Sequence, residues 1–246
     1  MSLTPPEGNG PLLRERLRTA RLYFCCEARP AGADPEALLR SALGGGVDVV
    51  QLREKQLGRA EIERAAGTYR RVADTYSALF IVNDDPDLAR ACDADGVHVG
   101  QDDTSAEQAR ELLGPDAIIG LSTHSEEQIA AAAGRPVDYI SVGPIWETPT
   151  KQGRPAVGLE LVTYAAAHAT RPFFAIGGID AGNADQVVRA GARRLCAVRA
   201  IRDATDPGAA ATELRRAFVA ADGTARGSQD ALLDTPAPWR GVAPGG

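Results

Sequence analysis

The chain has 246 residues, 44% of them hydrophobic and 24% charged, with a formal net charge of −6. This composition predicts a globular protein with a sizeable core, either two ordinary domains or one barrel of about 250 residues, and excludes disorder of the whole chain. The sequence lacks a basic block, a long apolar run and a signal-peptide pattern, so we expect a cytoplasmic protein without nucleic-acid or membrane partners.

Both ends of the chain are rich in glycine, proline and charge without a clear period. We therefore predict mobile tails over residues 1–18 and 222–246. Between them, residues 19–221 alternate short apolar runs with alanine-rich stretches that suit helices, and the pair recurs eight times. In chain order, the predicted strands cover residues 21–27, 47–53, 78–84, 96–100, 117–123, 139–145, 173–179 and 194–201.

The strand pattern decides the predicted fold class. Strands that are apolar nearly throughout and separated by helices are typical of a parallel sheet buried on both faces. Eight repeats favour closure into a single (β/α)8 TIM barrel, an α/β fold, over residues 19–221. An open doubly wound sheet is the alternative, but no GxGxxG follows the first strand.

The active site of such a barrel lies at the carboxyl ends of its strands. Strand two ends in QLREK, where the alternation of side chains places Gln51, Arg53 and Lys55 on one face. Two cations on one face predict an anion clamp. Taken alone, Arg53 and Lys55 are equally compatible with pairing to surface acids.

Acidic pairs follow the next two strands, NDD at residues 83–85 and QDD at residues 101–103. Repulsion between neighbouring carboxylates would raise their pKa values and disfavour folding. Mg²⁺ resolves such a conflict, since it binds a few carboxylates together with water and phosphate oxygens. The alternative is that Asp85 and Asp103 are helix N-caps.

Later strands supply weaker signals. A long polar connection over residues 143–160 follows strand six, and AIGGI ends strand seven. The double glycine either lets the backbone approach a phosphate or relieves crowding between strand and helix. His98 lies inside strand four and is predicted to be structural, whereas His124 lies just past strand five and is the better site candidate. Cys25 is predicted to be a buried small hydrophobic residue without function.

Six strings, QLREK, VNDD, GVHVGQDD, IGLSTH, GPIWETPTK and AIGGI, occur in that order at predicted strand ends. Together they resemble the thiamine-phosphate synthase family over residues 20–220. The resemblance implies a transferase that joins 4-amino-2-methyl-5-hydroxymethylpyrimidine diphosphate to 4-methyl-5-(2-hydroxyethyl)thiazole phosphate, giving thiamine phosphate and pyrophosphate. It also implies Mg²⁺ as cofactor, and it leaves open whether the protein is a homo-oligomer.

The resemblance assigns roles residue by residue. The positions that match pyrimidine diphosphate contacts are Gln51, Leu52, Arg53, Glu54, Lys55, Asn83, Ser122 and Lys151. The positions that match thiazole phosphate contacts are Thr148, Pro149, Thr150, Gly178, Val198 and Arg199. Asp84 and Asp103 match the Mg²⁺ ligands, and the residues expected to act in catalysis are Arg53, Lys55, Ser122 and Lys151.

The mechanism implied by the resemblance is dissociative. The carbon–oxygen bond breaks, a pyrimidine-methyl cation forms, and the thiazole nitrogen captures it, so no protein nucleophile is needed. Two positions depart from the family pattern: Arg199 stands where many members carry serine, and Glu147 where proline is frequent. Arg199 either strengthens phosphate binding or turns outward to pair with an acid.

Two other functions compete with this hypothesis. A thiazole tautomerase of the same superfamily would use His124 as a base with a pKa near neutrality. A non-catalytic phosphate-binding barrel is the second alternative, because a fold does not determine a function. That barrel would be expected to have lost Lys151 or the acidic pairs, and the sequence keeps both.

Overall fold

Eight short strands close into a parallel barrel, which confirms the predicted fold class. The computed structural model describes residues 8–148 and 155–219. The strand order follows the chain, and β8 pairs with β1 to close the sheet. The strands are Leu22–Cys26 (β1), Val49–Leu52 (β2), Leu79–Asn83 (β3), Gly96–Val99 (β4), Ile118–Thr123 (β5), Tyr139–Val142 (β6), Phe173–Ile176 (β7) and Leu195–Ala197 (β8).

Helices connect the strands on the outside of the barrel. They are Gly10–Thr19 (α1), Glu36–Gly44 (α2), Arg59–Thr75 (α3), Pro86–Ala91 (α4), Ala106–Leu113 (α5), Glu126–Ala132 (α6), Gly158–His168 (α7), Ala184–Arg189 (α8) and Arg199–Arg202 (α9). A further helix, α10, runs over residues 207–219. Local sequence determines where several helices begin. Ser105 forms a capping box with Gln108 at the start of α5, and Ser125 caps the start of α6. None of the helices within the described ranges is long and apolar enough to cross a membrane.

The alternation of strand side chains produces two cores. Outward-facing residues such as Phe24, Val50 and Phe80 pack against the helices in one large cluster. Inward-facing residues fill the barrel and form a second cluster that includes Tyr23 and Phe174. The interior is thus a packed core rather than a pore, as is usual for this fold.

Helix α1 is a correction to the predicted N-terminal tail, since residues 10–18 are helical. Leu17 is only 2% exposed and belongs to the cluster inside the barrel, so α1 covers the amino ends of the strands. Arg14 holds the helix in place through an ion pair of 2.8 Å with Asp138. The parts of the predicted tails at 1–7 and 222–246 lie outside the described residues, and the domain bounds 19–221 stay a prediction.

Three predicted strands, those ending at residues 145, 179 and 201, run three or four residues beyond the observed strands. β6, β7 and β8 end at Val142, Ile176 and Ala197, so the residues that follow belong to loops or, after β8, to α9. The cause is local backbone conformation. Gly177 has a φ of 108°, and Val198 has a ψ of −88°, neither of which continues a strand. Arg199 therefore begins α9 instead of closing strand eight.

Candidate active site

The side chains that point into the barrel become polar toward the carboxyl ends of the strands. An interior cavity of about 60 Å³ opens there. Its polar lining residues include Gln51, Asn83, His98, Ser122 and Ser141, and its apolar wall includes Phe174, Ile176 and Val198. Gln51 and Ser122 are 5% and 6% exposed. The cavity therefore combines hydrogen-bonding groups with an aromatic wall, which suits a flat polar ring.

A larger basic cavity of about 690 Å³ lies beside it, at the ends of β1, β2 and β8. Its cationic lining residues are Arg29, Arg53, Lys55, Arg199 and Arg202. β2 ends at Leu52, so Arg53 and Lys55 lie in the following loop rather than on a strand face. The structure nevertheless brings both cations to one cavity, where they can bind an anion.

Two predicted substrate contacts have other partners. Leu52 is 2% exposed and packs in the cluster between strands and helices, so its side chain lies away from the interior cavity. Glu54 lines the basic cavity, but its carboxylate accepts hydrogen bonds from the backbone N–H groups of Lys55 and Gln56 at 2.8 Å. It also accepts one from Ala28 at 3.3 Å. Glu54 thus stabilises the loop that carries Lys55.

Asp84 and Asp103, the predicted metal ligands, lie next to each other. Burial raises the pKa of Asp84, and a hydrogen bond and the negative charge of Asp103 raise that pKa further. Lys55 lowers it in part, with Nζ 3.4 Å from Asp84 Oδ2. The backbone N–H of Asp84 donates to the His98 carbonyl at 2.8 Å, in a left-handed conformation with φ of 62°. The predicted conflict between carboxylates is therefore present in the structure.

The alternative role of helix capping applies to only one of the two candidate acids. Asp85 Oδ1 accepts the N–H of Leu88 at 2.8 Å and caps α4, and Asp85 Oδ2 pairs with Arg59 at 2.9 Å. Asp103 instead accepts the N–H of Gly100 at 3.0 Å, since α5 is capped by Ser105. Within the ranges that the structure describes, no group of three or more His, Cys, Asp or Glu side chains is placed to hold a metal.

A third cavity, the β7–β8 cavity, measures about 300 Å³ and lies beyond the ends of those strands. Its lining residues include Thr148, Gly178, Val198 and Arg199. Gly177 and Gly178 both have positive φ, and a Cβ on Gly177 would lie 2.5 Å from Pro144 Cα. The double glycine therefore relieves crowding against the loop after β6, and in doing so it also shapes the cavity. Pro149, Thr150 and Lys151 lie outside the described residues.

The structure places Arg199, Glu147 and His124 in different surroundings. Arg199 is exposed, lines both larger cavities and forms no ion pair with any residue in the described part of the chain. Glu147 is exposed. His124 donates from Nδ1 to the Gly143 carbonyl, and its backbone N–H donates to Gln128 Oε1 at 2.7 Å.

Sequence reasoning missed a set of buried polar residues in the lining of the interior cavity. Tyr23, Tyr139 and His98 connect Gln51 to Ser122 through side-chain hydrogen bonds. His98 was predicted to be structural, but it lines the interior cavity with Ser122. The available signal was strand alternation: His98 pairs in register with Gly120, two residues before Ser122, and all three point inward.

Comparison with known proteins gives consistent matches. A family model described as thiamine monophosphate synthase matches residues 22–201. The thiamine-phosphate synthase of Thermobifida fusca is 51% identical over 212 residues, covering 85% of this chain and 97% of the relative. That of Acidothermus cellulolyticus is 50% identical over 211 residues, covering 85% and 100%. A solved thiamine phosphate pyrophosphorylase from Pyrococcus furiosus matches with a TM-score of 0.75 and 33% identity over 84% of this chain and 97% of that one.

Proposed function

The chain belongs to the thiamine monophosphate synthase family, and on that premise we propose how its cavities divide the substrates. Its activity is that of a thiamine-phosphate synthase, a transferase acting on a small-molecule pyrimidine and a small-molecule thiazole. We propose that these are 4-amino-2-methyl-5-hydroxymethylpyrimidine diphosphate and 4-methyl-5-(2-hydroxyethyl)thiazole phosphate. The products are then thiamine phosphate and pyrophosphate.

The observation that carries this proposal is that the three cavities adjoin one another. Arg53 lines both the interior and the basic cavity. Val198 lines the interior and the β7–β8 cavity, and Arg199 lines the basic and the β7–β8 cavity. Two substrates that carry phosphate groups need this combination: a pocket for the pyrimidine ring, a cationic region for its diphosphate and a separate binding site for the phosphate of the thiazole.

The pyrimidine ring is assigned to the interior cavity. Gln51, Asn83 and Ser122 provide its hydrogen-bonding groups, and Phe174 provides an aromatic wall. From there the diphosphate extends into the basic cavity, where Arg53 and Lys55 meet it. Lys151, Glu54 and Leu52 belong to this assignment through the family resemblance. Of these, Glu54 has a contact in the structure that indicates a different role: its carboxylate accepts a hydrogen bond from the backbone of the loop that carries Lys55.

The thiazole phosphate is assigned to the β7–β8 cavity. Phosphates in (β/α)8 barrels are frequently bound by the loops after strands seven and eight and by a short helix there. In this chain those elements supply Gly178, Val198 and Arg199, with Thr148 on the loop after β6. Pro149 and Thr150 complete the assignment by resemblance. The exposed Arg199 guanidinium is available to strengthen phosphate binding, since it forms no close ion pair among the described residues and interacts with Asp203 only through the charge of that carboxylate.

Mg²⁺ fits the pair Asp84 and Asp103. Their carboxyl groups adjoin each other, and burial with mutual repulsion raises the pKa of Asp84, a conflict that a bound cation relieves. Two carboxylates alone do not complete a shell, which agrees with the preference of Mg²⁺ for substrate phosphate oxygens and water as its other ligands. When bound, the ion supplies positive charge to the diphosphate.

Within this site the reaction is a substitution at the pyrimidine methylene carbon. The carbon–oxygen bond breaks, its electron pair leaves with the pyrophosphate, and the thiazole nitrogen donates an electron pair to the resulting cation. Arg53, Lys55 and Lys151 stabilise the negative charge on the leaving group. The apolar wall of Phe174, Ile176 and Val198 excludes water that would capture the cation.

Steady-state kinetics of paired variants test the division of substrates. Ser122→Ala is expected to raise the KM for the pyrimidine diphosphate about three- to tenfold and to leave the KM for the thiazole phosphate unchanged. Thr148→Ala is expected to produce the reverse pattern, because among the three cavities Thr148 lines only the β7–β8 cavity. If each variant raises both KM values equally, the assignment of separate cavities is wrong.

A further inference from the structure

A line of buried hydrogen bonds, which we call the buried relay, joins side chains that line the interior cavity. It consists of Gln51, Tyr23, Tyr139, His98 and Ser122. Gln51 Nε2 lies 2.9 Å from Tyr23 Oη, which is 3.0 Å from Tyr139 Oη. Tyr139 Oη is 3.0 Å from His98 Nδ1, and His98 Nε2 is 3.0 Å from Ser122 Oγ. The relay therefore connects two proposed pyrimidine contacts that lie on different strands, β2 and β5.

The first bonds determine the direction of the relay. Cys25 Sγ donates to Gln51 Oε1 at 3.0 Å, which orients the Gln51 amide so that its N–H group donates to Tyr23. Since Tyr23 accepts at its oxygen, its own hydroxyl proton goes to Tyr139. The reverse direction would leave the Tyr23 proton without an oxygen or nitrogen acceptor among the described residues, at a cost of about 1–3 kcal/mol for a buried group.

The same direction continues through the histidine. Tyr139 accepts from Tyr23 and donates its proton to His98 Nδ1. A neutral imidazole that accepts at Nδ1 carries its hydrogen on Nε2. That hydrogen points to Ser122 Oγ at 3.0 Å, with Ser141 Oγ farther away at 3.4 Å. Ser122 is thus an acceptor toward the relay, and its hydroxyl proton is left to point into the interior cavity.

Packing keeps these groups in place. Tyr23 and Tyr139 are 2% and 0% exposed, and both rings contact Phe174 edge to face, with centroids 5.1 and 5.5 Å away. Ring orientations fixed in this way leave each hydroxyl little freedom to choose another partner. The relay is therefore a preorganised structure, of the kind that gives a binding group a single hydrogen-bonding direction.

We propose that Tyr139 and His98 are positioning residues that make Ser122 a hydrogen-bond donor to a ring nitrogen of the pyrimidine. The Nε2 hydrogen of His98 occupies one lone pair of Ser122 Oγ, and the Ser122 proton is not used within the relay, so Ser122 can donate that proton to a ligand. At the other end, the same relay fixes the Gln51 amide. The site thereby favours a ring with an acceptor opposite Ser122. This inference rests on the pyrimidine contacts proposed above for Ser122 and Gln51.

The histidine tautomer is the direct test, and it is independent of activity. ¹⁵N-labelled histidine spectra of the whole protein near neutral pH, assigned with a His168→Gln variant and a His124→Gln variant, report which ring nitrogen of His98 carries hydrogen. The relay predicts hydrogen on Nε2 alone, and a loss of this preference in Tyr139→Phe. Hydrogen on Nδ1, or on both nitrogens, in the unmodified protein would overturn the proposal.

A double-mutant cycle tests the consequence for binding. Tyr139→Phe keeps the ring and is expected to raise the KM for the pyrimidine diphosphate about three- to tenfold, with the KM for the thiazole phosphate unchanged. In Ser122→Ala the added Tyr139→Phe change is expected to have little further effect, because both act through one hydroxyl. Tyr69→Phe is the matched control: it removes an equally buried hydroxyl, bonded to the Glu27 carbonyl at 3.1 Å, outside the relay.

The outcomes separate this inference from the proposed function. If Ser122→Ala raises the pyrimidine KM but Tyr139→Phe behaves like Tyr69→Phe, the relay has no positioning role and the substrate assignment stands. Effects of Tyr139→Phe and Ser122→Ala that multiply in the double variant would also overturn the relay. If Ser122→Ala itself leaves the pyrimidine KM unchanged, the proposed contact fails, and this inference fails with it.

Discussion

At the residue scale, neighbouring aspartates at the end of β3 have different partners. Asp85 serves the helix that follows, whereas Asp84 faces Asp103 and Lys55. From the sequence, Asp85 was the candidate helix cap, and the family resemblance assigned Asp84 to Mg²⁺. In the structure, the chain leaves β3 at Asp84 with a left-handed φ of 62°, and Asp85 is the N-cap residue of α4.

Replacement of Asp84 tests the proposed metal pair. Asp84→Asn is expected to raise the Mg²⁺ concentration needed for half-maximal rate about 10- to 100-fold, because it removes one carboxylate from the pair. Titration of activity with Mg²⁺ measures this shift. Asp85→Asn is the matched control and is expected to keep the Mg²⁺ requirement of the unmodified protein. An unchanged requirement in Asp84→Asn would refute the metal assignment.

The proposed role of Lys151 is tested separately. Lys151→Ala is expected to lower kcat about 10²- to 10³-fold, because a charge that stabilises the departing pyrophosphate is lost. The KM for the thiazole phosphate is expected to change little, since that substrate is assigned to another cavity. Rates with saturating substrates measure the effect, and undiminished turnover would refute the role.

At the scale of elements, α1 closes the amino end of the barrel. Leu17→Ala is expected to destabilise the protein by about 2–5 kcal/mol, because Leu17 packs inside the barrel and its loss leaves a cavity. Leu12 lies in the same helix but is 54% exposed, so Leu12→Ala is expected to cost less than about 0.5 kcal/mol. Urea unfolding measures both. Equal losses would show that α1 does not cover the barrel as described.

A second prediction at this scale concerns pH. Hydrogen bonds from Arg71 on α3, and then from Arg40, lower the pKa of Glu36 on α2 to about 2. Because the folded-state pKa is below the ordinary value of 4.5, the pair stabilises the fold above pH 4.5, and this contribution is lost as the pH falls toward 2. The group is exposed, so the effect is expected to be small and to weaken in salt.

A Glu36→Gln variant measures this contribution. Its urea midpoint is expected to fall less steeply than that of the unmodified protein between pH 4.5 and 2, the window set by the lowered pKa. The difference between the two proteins is expected to shrink at high salt. Identical pH profiles at low salt would show that the pair does not link α2 to α3.

At the scale of the whole molecule, the barrel was predictable because eight strand–helix pairs recur in the sequence. Helix α1 was missed because a short polar helix gains its stability from packing against the barrel floor, which local sequence does not show. Strand ends were uncertain for a similar reason, since the conformations of Gly177 and Val198 depend on neighbouring loops.

The site was likewise predictable only in part. Residues at strand ends were predictable because the fold collects them at one face. The buried relay was not, because it depends on pairs such as Tyr23 and Tyr139, which are 116 positions apart and meet only across the closed barrel. The alternation of side chains along each strand shows that Tyr23 and Tyr139 point inward, but it does not show which partners they contact.

We propose that this barrel joins a pyrimidine diphosphate to a thiazole phosphate. The most direct measurement incubates the purified protein with both substrates and Mg²⁺ and follows thiamine phosphate and pyrophosphate together. Both products are expected to accumulate in equal amounts, and a Mg²⁺ chelator is expected to stop their formation. Absence of thiamine phosphate with Mg²⁺ present, or its formation without an equal amount of pyrophosphate, would contradict the proposal.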